Sequence, residues 1–150
     1  MTYNFSPHKK LSQGDILRHI RAIANVVGGE GNGPKYKESN IIVVSRNCEI
    51  DKGTNSVLVA RLARLKSQRE EFRGVVRAGE VLNAFYLPSE GPLMDEESYI
   101  DWRTLQQISK EELMKMRYQL GCYRCSLGEI MLKACLGSLI EFFTKPEEEE

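Results

Sequence analysis

The sequence carries no excess of either charge, since 21 Lys and Arg are matched by 21 Asp and Glu. No global field draws it to nucleic acid, to a membrane surface or to acidic substrates; a local basic face stays open. It has no apolar run of the roughly eighteen residues that a membrane span needs. The first ten residues, with Pro7, His8, Lys9 and Lys10, lack the apolar core of a signal peptide, so a cytoplasmic location is expected. Histidine is confined to His8 and His19, and cysteine to Cys48, Cys122, Cys125 and Cys135. Only Cys122 and Cys125 form a Cys-x-x-Cys pair. A structural zinc site takes four ligands, usually from two such pairs, so neither a metal nor a cofactor is expected. No βαβ pattern surrounds the pair, which excludes a thioredoxin-like reading.

A chain of 150 residues suits one domain with a modest core. Residues 1–12 read as a flexible arm. Ile16, Ile20, Ile23 and Val27 fall at helical spacing, yet Gly14-Asp15 before branched residues also suits a strand. The run Gly28, Gly29, Gly31, Gly33 and Pro34 is a connection without phosphate-loop chemistry. Ile41-Ile42-Val43-Val44 predicts a central strand buried on both faces, and Val57 to Ala60 a second strand antiparallel to it. Ser67-x-x-Glu70 predicts a capped short helix that Gly79 ends. Val81–Leu87 and Tyr99–Trp102 read as further strands, and Ser109-x-x-Glu112 as a second capping box. Gly121–Cys125 reads as a break. Ser126-x-x-Glu129 then opens the longest helix, and residues 146–150 form an acidic tail.

Several short strands interrupted by helices suggest a small barrel with helical insertions. Gln13-Gly14-Asp15-Ile16, Ile42-Val43-Val44-Ser45-Arg46 and Ser98-Tyr99-Ile100-Asp101, followed by Ile108 to Leu113, resemble the opening, central and closing parts of the PemK/MazF-like toxin fold. The similarity spans residues 13–118. It is closer to a small bacterial group with a Ser-x-x-Cys-(Asp/Glu)-Ile-x-Lys segment, here Ser45 to Lys52, followed by a strand like Val57-Leu58-Val59-Ala60. The resemblance implies an α+β, mainly β fold: an SH3-like barrel over 13–118, with an inserted short helix. The residues beyond it, 119–145, read as a C-terminal helix packed on the barrel or on a partner. The resemblance also implies a strand at about 14–19.

The toxin family cleaves RNA. The resemblance implies a basic residue before the central strand and a hydroxyl residue after the next one, for proton transfer and phosphorane stabilisation. Here Lys35 and Lys37 precede the central strand, while Arg61-Leu62-Ala63-Arg64 follows Ala60 and offers no hydroxyl before Ser67. Arg46, Asn47, Glu49, Asp51 and Lys52 crowd a strand end, where they form either a ligand-contacting loop or a self-bonded turn with Cys48 and Ile50 tucked inward. The last helix carries two apolar stripes. One runs through Leu127, Ile130, Met131, Ala134, Cys135, Ser138, Leu139 and Phe142, the other through Leu132, Leu136, Ile140 and Phe143. The second is surplus to docking on the barrel, unless the chain's own core buries it, and predicts a protein partner or self-association. These features favour a non-catalytic, protein-interacting accessory or regulatory module over an enzyme. The resemblance sets it in a bacterial toxin, phage-defence or similar conflict system. A toxin-type endoribonuclease is the first alternative. The second is a non-catalytic RNA binder using Arg46, Lys52, Arg61 and Arg64 on one face.

Overall fold

A computed structural model describes residues 2–7, 9–25 and 35–145, with the backbone alone for 23–25, 35 and 36. The Gly-rich run from Gly28 to Pro34, the Lys35 side chain, His8 and the acidic tail lie outside the described residues. Seven antiparallel strands form one sheet in the order β1-β7-β2-β3-β4-β6-β5. They are β1 (Tyr3–Asn4), β2 (Asp15–Asn25), β3 (Lys35–Val43), β4 (Ser56–Arg64), β5 (Ala84–Leu87), β6 (Ser98–Ser109) and β7 (Tyr123–Leu127). Four helices accompany them: α1 (Asn47–Asp51), α2 (Glu70–Arg77), α3 (Lys110–Tyr118) and α4 (Glu129–Thr144). The mixed, mainly β architecture expected from the sequence is present.

The branched run at 41–44 is buried on both faces because successive side chains of a strand alternate. Ile42 and Val44 enter one core with Ile16, Ala60, Ile100 and Trp102, which α4 covers with Cys135 and Leu139. Ile41 and Val43 enter another with Leu17, Ile20, Val57 and Val59, which α1 and α3 cover with Ile50 and Leu113. A third cluster joins Leu65, Val76, Ala84 and Tyr99.

The strand reading of residues 14–19 holds and extends to Asn25. The register of β2 against β3 shifts between Leu17 and Ile20, where His19 adopts φ 62°. Across this bulge alternation is reset, so Leu17 and Ile20 share a core while Ile16 faces the other. A three-residue spacing on one core, as for Leu17 and Ile20, is what a bulged strand leaves in the sequence, and it resembles a helix face.

Several local expectations are corrected. The N-terminal arm is not loose: Tyr3 pairs with Leu127, is fully buried, and makes β1 part of the sheet. Gly121–Cys125 is not simply a break, because strand β7 begins at Tyr123 and lies between β1 and β2. The sheet therefore runs across both expected boundaries, after residues 12 and 118. Ser67 does not cap α2; Arg69 occupies the N-cap without a side-chain bond. Nor does Ser126 cap α4, whose N-cap is Gly128. Ser109 does cap α3, accepting from Glu112 N at 3.3 Å. The segment 47–51 is a helical turn rather than a β-turn; Ile50 is buried but Cys48 is exposed.

The sheet is open, with β1 and β5 as its edges. It curls until they approach, and Tyr3 OH donates to Pro88 O, just past β5, at 2.7 Å. From β7, Arg124 donates to Leu93 O at 2.9 Å and pairs with Asp95, tying the β5–β6 connection to the far side of the sheet.

Candidate functional site

The chain leaves β3 through Val44 and Ser45, both of which donate their amides to Leu58 O. Ser45 Oγ accepts from Leu58 N at 2.7 Å, so this corner is bonded at every turn. Arg46 then opens α1. The helix is pinned by buried Ile50, by Thr54 Oγ1 donating to Glu49 O at 2.9 Å, and by Lys110 Nζ donating to Ile50 O. Asn47 Oδ1 accepts from Gln13 N at 2.7 Å, and Asp51 pairs with Lys10 at 2.9 Å. These two act as tethers between α1 and the segment before β2. Lys52 caps the C-terminal end of α1 and is exposed.

Arg46 and Glu49 pair at 2.9 Å and face a groove of about 550 Å³. Its opposite wall is α4, through Leu136 and Ile140, and apolar side chains of Leu58, Val44 and Leu139 also line it. The mix of apolar surface with a few polar groups is that of a binding groove. Two sets of residues singled out separately in the sequence thus meet in one place. Of the second α4 stripe, Leu132 and Leu136 are half-buried, whereas Ile140 and Phe143 are 61% and 65% exposed. Leu132 packs over Gly14, where a Cβ would lie 3.2 Å from its Cδ1. In the first stripe Cys135 and Leu139 are buried, but Ile130 is 87% exposed, contrary to its expected docking role. The docked face of α4 combines members of both stripes.

Arg61 and Arg64 line a different, polar groove of about 530 Å³, with His19, Lys37, Ser39 and Asn40. Arg61 Nε donates to Ser39 Oγ at 2.8 Å, Arg64 pairs with Glu96 at 3.2 Å, and His19 Nδ1 lies 3.8 Å from Glu38 Oε1. Arg46 and Lys52 do not line this groove, so the four cations expected on one face are divided. Sequence reading missed Ser39 and His19 here. Ser67, the first hydroxyl after Ala60, also lines this groove, and the β2 bulge lies at His19.

No family model and no curated protein matches this sequence.

The cysteines show no converging ligand set. Extended chain separates Cys122 and Cys125 by roughly 10 Å along the backbone. No group of three or more potential metal ligands assembles among the described residues. Burial pushes the Cys125 thiol up to about 11 and the Cys135 thiol to about 12, which keeps both protonated and poorly nucleophilic. No described helix is long and apolar enough to cross a membrane.

Proposed function

We propose that the chain is a small non-catalytic binding module that holds apolar side chains of a partner protein in the groove between α1 and α4. The carrying observation is the convergence of Arg46 and Glu49 with Leu136 and Ile140 on one groove floored by apolar residues. Exposed Ile140 and Phe143 extend its apolar wall. A role in a bacterial toxin or defence system rests on the sequence resemblance to PemK/MazF-like proteins. We read the curled sheet, whose edges meet at Tyr3 and Pro88, as an opened form of their SH3-like barrel. The test is quantitative affinity capture from the native host with the native chain and an Ile140→Glu variant. The expected result is a partner retained by the native chain and lost by the variant, with both melting within about 2–4 °C of each other. Absence of a partner, or one indifferent to the substitution, would overturn the proposal.

A second reading, RNA binding with or without cleavage, is favoured by the polar groove. Basic Lys37, ahead of the central run at 41–44, and the hydroxyl of Ser67, after the next strand, line it together with Ser39 and Arg61, so both group types share one groove. The same purified proteins, with an Arg61→Ala/Arg64→Ala variant, are to be incubated with long single-stranded RNA at several salt concentrations. This reading expects retardation by the native chain, with the salt slope falling by about one per lost phosphate contact in the variant. Cleavage abolished by the variant would make the chain a nuclease; no retardation would remove RNA from consideration.

A further inference from the structure

We propose that the free edge of β5 accepts one extended peptide strand, seated in the cleft between that edge and α4. The site is separate from the α1 groove, because it uses a different side of α4.

The argument starts from the ladder. Trp102 N donates to Asn83 O at 2.9 Å, which sets the pattern of the β5–β6 pair. Antiparallel partners alternate between bonded and non-bonded pairs, so Phe85 and Leu87 turn their backbone groups toward β6 while Ala84 and Tyr86 turn theirs outward. The Ala84 amide is satisfied by Val81 O, and Pro88 O by the Tyr3 hydroxyl. By this alternation the Ala84 carbonyl and both backbone groups of Tyr86 point away from β6, toward the open edge. These groups recur at strand spacing. A helix satisfies its own backbone and has nothing to offer them, whereas an extended chain pairs with them directly.

Space for such a strand lies alongside, as a cleft of about 730 Å³. Leu82 and Phe85 line one side and Met131 the other. Ala134 and Gly137 keep the α4 surface low, and a Cβ built on Gly137 would meet nothing within 4 Å. Alternate side chains of the incoming strand enter this apolar cleft, and the intervening ones point away. Glu80 and Glu141 line it against a single cation, Lys145, so the acceptable peptide is apolar at alternate positions and carries a basic residue.

The test is selection of displayed short random peptides against the full chain. Selected peptides are then re-made with backbone N-methyl groups, and amide exchange is followed in the complex. The expected outcome is enrichment of alternating apolar peptides with a basic residue. Their binding should protect the Tyr86 amide and fall roughly tenfold or more on alternate N-methylation. Gly137→Arg, an exposed helix position where the fold loses no contact, should abolish binding, while Ile140→Glu should leave it unchanged. Failure to select peptides, binders indifferent to Gly137→Arg, or binding without protection of Tyr86 would overturn the proposal. So would concentration-dependent dimerisation that protects Tyr86 without peptide, because a second copy would then occupy the edge.

Discussion

Arg117 concentrates more polar work than any other side chain described here. It and Asp15 are 2% and 3% exposed and lie 3.3 Å apart. The guanidinium also donates to Lys9 O at 2.7 Å and Ser6 O at 3.2 Å, and lies 4.0 Å from the Tyr123 ring centroid. Asp15 accepts from Ser12 N at 2.9 Å and Ser126 Oγ at 2.7 Å. One ion pair thus fastens the N-terminal segment, β2, α3 and β7 together. Replacing Arg117 by Met leaves a buried carboxylate without its counter-ion and removes the donor from three carbonyls, those of Ser6, Pro7 and Lys9. Such truncations cost about 3–5 kcal/mol. Urea unfolding of Arg117→Met should show a loss of that size, and a shift under about 1 kcal/mol would mean that solvent reaches the pair.

At the level of elements, α4 separates buried from exposed apolar residues within a single step. Leu139→Ala removes a core side chain and should cost about 2–5 kcal/mol, whereas Ile140→Ala should stay within about 0.5 kcal/mol. Thermal unfolding of the two variants checks this, and equal losses would place Ile140 in the core. Which side of this helix docks was not legible beforehand. Apolar residues surround it, and the contact face at Met131, Leu132, Cys135, Leu139 and Phe142 is chosen by the sheet it meets. The strand at 41–44 was legible because a branched run buried on both faces needs no partner to identify it. Strand β7 was not: Tyr123-Arg124-Cys125-Ser126-Leu127 has no β-branched residue, and β1 and β2 on either side make it a strand. The same division holds for the grooves. The polar cluster at 46–52 was visible as local composition, but its meeting with α4 depends on packing between segments far apart in sequence.

For the molecule as a whole, acid stability should trace to three consecutive carboxylates in the β5–β6 connection. Asp95, Glu96 and Glu97 are paired with cations from β7, from the end of β4 and the turn after it, and from α2. Bidentate bonding from Arg77, reinforced by the Tyr86 hydroxyl, holds Glu97 down to about 2. Arg124 lowers Asp95, and Lys66 with Arg64 lowers Glu96. A carboxylate depressed in the folded state contributes stability that is complete above its unfolded value and lost as pH falls through the folded one. Asp15 has the opposite sign. Burial pushes its carboxyl up, so the stability it contributes is complete at low pH and lost as pH rises through its folded value. The melting temperature should therefore fall between pH 4.5 and about 2, and Glu97→Gln should flatten that fall. An unchanged acid limb in Glu97→Gln would assign the loss to other groups.

The pairing of Tyr3 with Leu127 also dictates an order of events during synthesis. Strands β2, β3 and β4 are made early and can pair as they emerge. The other edge of β2 has no neighbour until residues 123–127 have left the ribosome, and β1 has none at all before then. Through most of translation the nascent chain therefore presents an uncovered strand edge, the condition under which edge-to-edge misassembly competes with folding. Closure then requires a contact spanning nearly the whole described chain, which makes it an entropically demanding step.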